Sequence, residues 1–269
     1  MSNPYIFYSV MKYPLPLPKE REFLKFNESK LPNHHSKTFQ DIPANQEVLN
    51  QLIDQIKKYQ HLLQKIPFLR GAFVVNSISF RGVHTNSDID LFLVVRKNRL
   101  WIARLFAWRV FRKVKITKKH KYKRFCLSFW AEEDQINLQK IALEPMDIYL
   151  IYWIAHAVPI FADRWDFEDF YRQNRWIKEF LPHWEPRPLI DLNIPILKDK
   201  SFGTSKIENL LQSFLGNFLN GVIYFLWRPI MLVKANLNQE KLGVGTIIKK
   251  GMVKFHKDIR EKIIKAILG

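Results

Sequence analysis

The chain is poor in the residues that build covalent or metal-stapled frameworks. It has one cysteine, Cys126, in 269 residues, which excludes an intramolecular disulfide and any site made of several thiolates. Nine glycines and fourteen prolines are too few for a collagen-like or low-complexity chain. The opening residues, MSNPYIFYSVMKYPLPLPKE, lack the basic-then-apolar order of a signal peptide, and a cytoplasmic protein is the expectation. Acids are scarce: 25 Asp+Glu stand against 43 Lys+Arg, a formal charge of +18. Apolar residues (47%) and aromatic residues (14%) are plentiful, which rules out a disordered chain and provides for a large core.

The positive charge is concentrated. From Arg96 to Arg124 there are 13 Lys+Arg in 29 residues and no acid. A smaller cluster, Lys249, Lys250, Lys254, Lys257, Arg260, Lys262 and Lys265, lies near the C-terminus. Such fields attract polyanions over roughly a Debye length of 8 Å. Nucleic acid through Arg96–Arg124, nucleotide phosphates and an anionic membrane surface are the partner classes this implies, against the plain alternative of a solvated basic face.

Residues 1–45 are Pro-rich and read as an irregular arm with one short helix near Lys19–Phe26. Val48, Leu49, Leu52, Ile53, Ile56 and Tyr59 recur at helical spacing, and the stripe ends at Pro67. Gly71–Val75, Asp88–Val95 and Arg124–Trp130 are short, apolar and β-branched or aromatic, as strands are. Residues 99–114 read as a helix of interleaved Trp, Phe and Arg, followed by a Lys-rich loop at Lys115–Lys123. The pattern turns helical after Glu144: a core helix at Ile148–Val158, an amphipathic one at Asp166–Leu181, and a long apolar one at Ile207–Val233 with a break at Pro229. Its interior amides, Gln212, Asn217 and Asn220, favour a core helix over a membrane span, which needs ~20 consecutive apolar residues. Short extended pieces fall in 242–256, and a closing helix in Asp258–Leu268. The organisation expected is an N-terminal arm (1–45), an α/β unit (46–140) and a mainly helical C-terminal region (141–269). Cys126 and His156 read as ordinary buried residues.

The chemistry concentrates in FVVNSISFRGVHTNSDIDLFLV, residues 73–94. Alternation along a strand sends Asp88 and Asp90 to one face and Ile89 and Leu91 to the other. Two adjacent carboxylates repel, and a divalent cation resolves the conflict. Mg²⁺ is commonly held by one or two carboxylates together with substrate phosphates. The turn at Asn76-Ser77 would offer backbone N–H groups and the Ser77 hydroxyl to phosphate oxygens, with added positive potential if a helix begins there.

A small-residue pair, a gap of about ten residues and Asp-hydrophobic-Asp-hydrophobic on a strand resemble the DNA polymerase beta-like nucleotidyltransferase superfamily. The run Ser87-Asp88-Ile89-Asp90-Leu91 is similar to its common form, and Arg81-Gly82 to the Arg-Gly between its motifs. The Tyr13-Pro14-Leu15 region and the helical second half resemble a bacterial subgroup. The resemblance implies a palm domain with a small mixed sheet (an α/β, or α+β, fold). It implies transfer of a nucleoside monophosphate from an NTP to an acceptor, with two Mg²⁺ held by Asp88 and Asp90. Nucleotide contacts would come from Asn76, Ser77, Arg81 and Ser87. Two departures stand out. Asn76 replaces the usual glycine, and Asn tolerates the left-handed region better than most residues. The strand at 124–130 has no acid, with Cys126 and Ser128 where a third carboxylate is expected and Glu132, Glu133 and Asp134 just beyond. A catalytically degenerate nucleotide- or nucleic-acid-binding protein and a peripheral membrane protein are the alternatives.

Overall fold

The structure is a computed structural model. It describes residues 5–30, 42–112, 114, 125–238, 242, 245–255 and 259–268. The Lys115–Lys123 loop expected from sequence lies outside the described residues.

Among the described residues six strands form one mixed sheet in the order β4-β1-β2-β3-β6-β5. β1 (Leu69–Val74), β2 (Ile89–Val95) and β3 (Phe125–Glu132) are the three read from sequence. The others, β4 (Val158–Ala162), β5 (Thr246–Ile248) and β6 (Met252–Phe255), come from the stretch read as mainly helical. The sheet therefore draws strands from both sides of residue 140. β4 was hidden because Ile148–Ala162 is apolar but for His156, and in such a run periodicity cannot separate buried helix from buried strand. The helix there, α5 (Ile148–Ala155), stops before His156, and β-branched Val158 and Ile160 with Pro159 take the extended form.

β2 and β3 run parallel, and the other neighbouring strands antiparallel. Between β2 and β3 the register passes from Asp90↔Cys126 to Phe92↔Phe129. One extra residue on β3 is a bulge, and it returns Cys126 and Phe129, three apart, to the same face as Asp90 and Phe92. That face is covered by α5 and α6 (Glu168–Gln173): Trp153 meets the rings of Phe92 and Phe129, and Phe170 meets Phe73 and Phe92. α9 (Arg260–Leu268) packs on α5 and on α1 (Ile6–Met11). The arm is thus part of the core: Ile6, Phe7 and Tyr8 are buried, and Phe7 stacks on Tyr152 at 4.6 Å. The short helix expected near Lys19–Phe26 is α2 (Pro18–Arg21).

The opposite face carries α3 (Gln46–Tyr59), which continues into a 3₁₀ turn at Gln60–Lys65, then α4 (Leu100–Phe111) and α8 (Phe214–Leu237), with α7 (Phe202–Leu211) leading into α8. α8 runs through Pro229 without a break. Its amides do not make it a core helix. Asn220 Oδ1 accepts the backbone N–H groups of Trp101 (2.8 Å) and Ile102 (3.2 Å), and Arg99 donates to the carbonyls of Leu211, Gln212 and Ser213. The Asn220 bonds satisfy otherwise orphaned donors in the first turn of α4, the Arg99 bonds satisfy carbonyls between α7 and α8, and together they dock one side of α8. Its other side is exposed: Phe214 is 82%, Phe225 73% and Leu237 77% accessible. α8 is long and apolar enough to cross a membrane by length and composition.

Candidate functional site

The site begins where β1 ends. The Val75 N–H donates to the Asp90 carbonyl at 3.1 Å, so the turn after β1 lies beside the start of β2. Asn76 there has φ 61°, the left-handed region that glycine enters freely and Asn better than most. The chain makes one turn, in which the Phe80 N–H and the Ser79 hydroxyl both donate to the Asn76 carbonyl at 3.0 Å. No helix follows, so the helix-end potential expected from sequence is not supplied. Phe80 pins the turn by packing against Phe7, Tyr13 and His156. The Asn76 carboxamide faces α5, where its Oδ1 accepts from the Trp153 indole (2.8 Å) and the Tyr149 hydroxyl (3.0 Å).

Asp88 is exposed and Asp90 half-buried at the head of β2. Asp90 lines a narrow cleft of about 40 Å³ with Asn76, Ser128, Tyr149, Lys254 and Arg260. Three protic groups feel its charge. Burial first, and Asp90 next, push the Tyr13 hydroxyl and the Cys126 thiol each up to about 12. Burial, then Tyr13 and Asp90, raise the Tyr149 hydroxyl well above its ordinary value. All three stay protonated near neutrality; the Tyr149 hydroxyl donates to Asn76 Oδ1 and the Cys126 thiol to Ser128 Oγ. Cys126, directly across from Asp90, also lies 3.3 Å from Ser128 Oγ.

The acids after β3 do not join this site. Glu132 pairs with Val95, six residues along the strand from Cys126, roughly 20 Å at 3.3 Å per residue. Its carboxylate is buried at the start of α4, where Oε1 accepts the Leu100 N–H at 3.4 Å. Desolvation raises its pKa against those bonds. Glu133 meets Arg70 at 3.6 Å, and Asp134 meets Lys97 at 2.9 Å.

Of the residues expected to touch nucleotide, Asn76 borders the cleft and Ser77 sits half-exposed in the adjoining turn. Arg81 is turned elsewhere: both of its terminal nitrogens donate to Glu20 at 2.8 Å, a paired and largely buried contact. Glu20 also accepts the Leu17 N–H at 3.0 Å, so this pair fastens the arm to the turn. Ser87 is buried, and its Oγ accepts the His84 N–H at 2.9 Å. Arg81 and Ser87 therefore shape the loop between the motifs and do not wall the cleft. Gly82 has a steric role, since a Cβ there would lie 2.0 Å from the Tyr13 ring.

Sequence reasoning missed Tyr149, Trp153, Lys254 and Arg260. Lys254 stands opposite Phe129 on β6, and the C-terminal basic cluster was the only local sign of it. Arg260 is buried, donating to Asp147 Oδ2 at 2.7 Å and to the Ile141 carbonyl at 3.0 Å. The Arg96–Arg124 segment divides. Arg99 and Arg104 are packed inside, Arg109 and Arg112 are exposed on α4 and just past its end, and residues 113 and 115–124 lie outside the described residues. His156 is a satisfied core residue between the Tyr8 hydroxyl and the Tyr152 carbonyl, each at 2.8 Å.

Asp88 lies just before β2 and is exposed, and of the two acids Asp90 is the one that lines the cleft. Among the described residues no group of three or more His, Cys, Asp or Glu converges to hold a metal. No protein-family model, no curated protein and no solved structure matches this chain.

Proposed function

We propose that the chain transfers a nucleoside monophosphate from an NTP to an acceptor hydroxyl in the cytoplasm. The observation that carries this reading is the placement of Asp90 at the head of β2, beside the Asn76 turn and in a cleft it shares with Lys254 and Arg260, with the exposed Asp88 two residues before it. The acceptor hydroxyl gives its proton to water, its oxygen bonds to the α-phosphorus, the bond to the bridging oxygen breaks, and pyrophosphate leaves with that electron pair. Asp88 and Asp90 would hold Mg²⁺, which would supply charge neutralisation at the phosphates and a lowered pKa for the attacking hydroxyl. Lys254 offers a cationic donor to the pyrophosphate oxygens, Arg260 stiffens the wall beside it through its pair with Asp147, and Ser77 with the turn orients the triphosphate.

One observation favours a second reading. Cys126 stands where a base is expected, and a thiol pushed up to about 12 does not accept a proton at neutral pH. Loss of general-base assistance costs ~10²–10⁴-fold. On this reading the chain binds Mg-nucleotide, or nucleic acid through its basic segment, without turning it over.

Magnesium-dependent pyrophosphate release and calorimetric Mg-NTP binding separate the two. Under the first reading each NTP is assayed with the wild type, Asp88→Asn, Asp90→Asn and Cys126→Asp. The aspartate variants lose at least about 10²-fold, and Cys126→Asp gains activity. Binding without release under any condition selects the second reading. Absence of binding to NTP with Mg²⁺ and to RNA or DNA overturns both.

A further inference from the structure

We propose that the outer face of α8, with the arginine-tryptophan cavity beside it, is a docking surface for an anionic phospholipid membrane. The helix lies in the plane of one leaflet. This stands independently of the reaction at Asp88 and Asp90.

The argument starts from α8 itself. Its 24 residues make a rod of about 36 Å at 1.5 Å per residue. A helix apolar on all sides belongs in a core or in lipid, yet only one side of α8 is covered. The free side presents Phe214, Phe218, Phe225, Leu226 and Ile230, each at least 60% accessible. An exposed apolar surface of that extent marks an interaction site.

Charge selects the occupant. Residues 209–238 contain no acid, nor does Arg96–Arg124. The exposed cations on α4, just past its end, and on α7 and α8 are Arg109, Arg112, Lys206, Arg228 and Lys234. A second copy meeting this face would set two positive rims against each other. Nucleic acid would leave the phenylalanines without an apolar layer. An anionic leaflet satisfies both: acyl chains take the apolar face and headgroups the cations. Trp108, 55% exposed and stacked by Arg112 at 4.8 Å, is the amphipathic ring such a boundary favours.

The cavity between α4, β3 and α8 supports the same occupant. It holds about 450 Å³, is lined by Arg104, Arg112, Trp108 and Trp227 among others, and among the described residues its wall contains no carboxylate. Arg104 lies over the rings of Trp101 and Trp130 at 5.7 and 5.5 Å, and its Nε and Nη1 have no hydrogen-bond partner among the described residues. Burial lowers its pKa to about 10, so it stays charged at neutrality. A lipid phosphate brings the missing charge and acceptors. Insertion across the bilayer is disfavoured. Asn220 and Arg99 tie α8 to the start of α4, and Arg228 falls near the middle of the helix, where a span would set it at the membrane centre.

The test is flotation of the full chain with phosphatidylcholine vesicles, with and without about 30% phosphatidylglycerol. The wild type floats with the anionic vesicles and stays soluble with the neutral ones. F218S/F225S/I230S lowers the bound fraction about tenfold with an unchanged circular-dichroism melt. R109Q/R112Q weakens binding and flattens its salt dependence. Millimolar glycerol phosphate does not release the protein, which separates a membrane from a free phosphate ligand. Independently of any substitution, brominated phosphatidylglycerol quenches the tryptophan emission of the wild type. A wild type that stays soluble with both vesicles and is not quenched overturns the proposal. So does a dimer in light scattering that the triple variant dissociates while vesicle binding is unmoved.

Discussion

Asn76 combines a backbone requirement with a side-chain one. Its φ of 61° suits glycine, and its Oδ1 accepts from two groups on α5. The two parts can be separated by substitution. Asn76→Gly keeps the backbone free but strands the Trp153 and Tyr149 donors, each costing about 1–3 kcal/mol. Asn76→Ala strands the same donors and adds about 1–2 kcal/mol of left-handed strain. Thermal melts should therefore rank wild type, Asn76→Gly, Asn76→Ala in falling order. A glycine variant as stable as wild type would show that the carboxamide bonds contribute nothing.

What could be read in the sequence at this scale was local chemistry. Asp88 and Asp90 declared a shared strand face through alternation, and Asn76 declared tolerance of positive φ. Lys254 and Arg260 were invisible in their roles, because they reach the cleft from a distant part of the chain and nothing local distinguishes them from surface cations. Arg81 and Ser87 sat in a motif-like position, but Glu20 and the His84 turn claim them. No pattern within residues 73–94 announces a partner on the N-terminal arm.

Among the elements, α8 shows how amides misled the sequence reading. Polar atoms in an apolar helix suggested a core position, whereas Asn220 uses its oxygen to cap the start of α4. Asn220→Ala leaves the N–H groups of Trp101 and Ile102 buried and unpaired, a loss of about 2–4 kcal/mol. Limited proteolysis should then cut near residues 211–214 before the sheet unfolds, while the wild type resists. β4 was missed for a different reason: fully buried strands and fully buried helices share one composition, and only tertiary pairing with β1 decides between them. β1, β2 and α4 were legible because each is short, periodic or bounded by turn residues.

For the molecule as a whole, pH acts through His156. Burial drops its imidazole from 6.5 to about 3, against the bond to the Tyr152 carbonyl. The unfolded ring takes a proton below pH 6.5 while the folded ring does not until about pH 3. The unfolded state thus binds more protons across that window, and stability falls as pH falls. From pH 7 to pH 5 the loss is about 2 kcal/mol. Buried Asp147 and Glu132, both raised by desolvation, act in the opposite sense at lower pH. Denaturant midpoints for the wild type and His156→Gln at both pH values isolate the histidine: the wild type drops and the variant stays nearly level.

The order of the strands has a consequence for biosynthesis. β6, with Lys254, pairs with β3 across more than a hundred intervening residues, and Arg260 follows it. A nascent polypeptide still emerging from the ribosome already has its aspartates, yet the cationic wall opposite them has not been made. Clipping the chain ahead of β5 would likewise leave β3 as a bare sheet edge, open to pairing with a foreign strand. Completeness of the tail and closure of the cleft are one event, so damage at that end would register at once as an open hollow and a sticky margin.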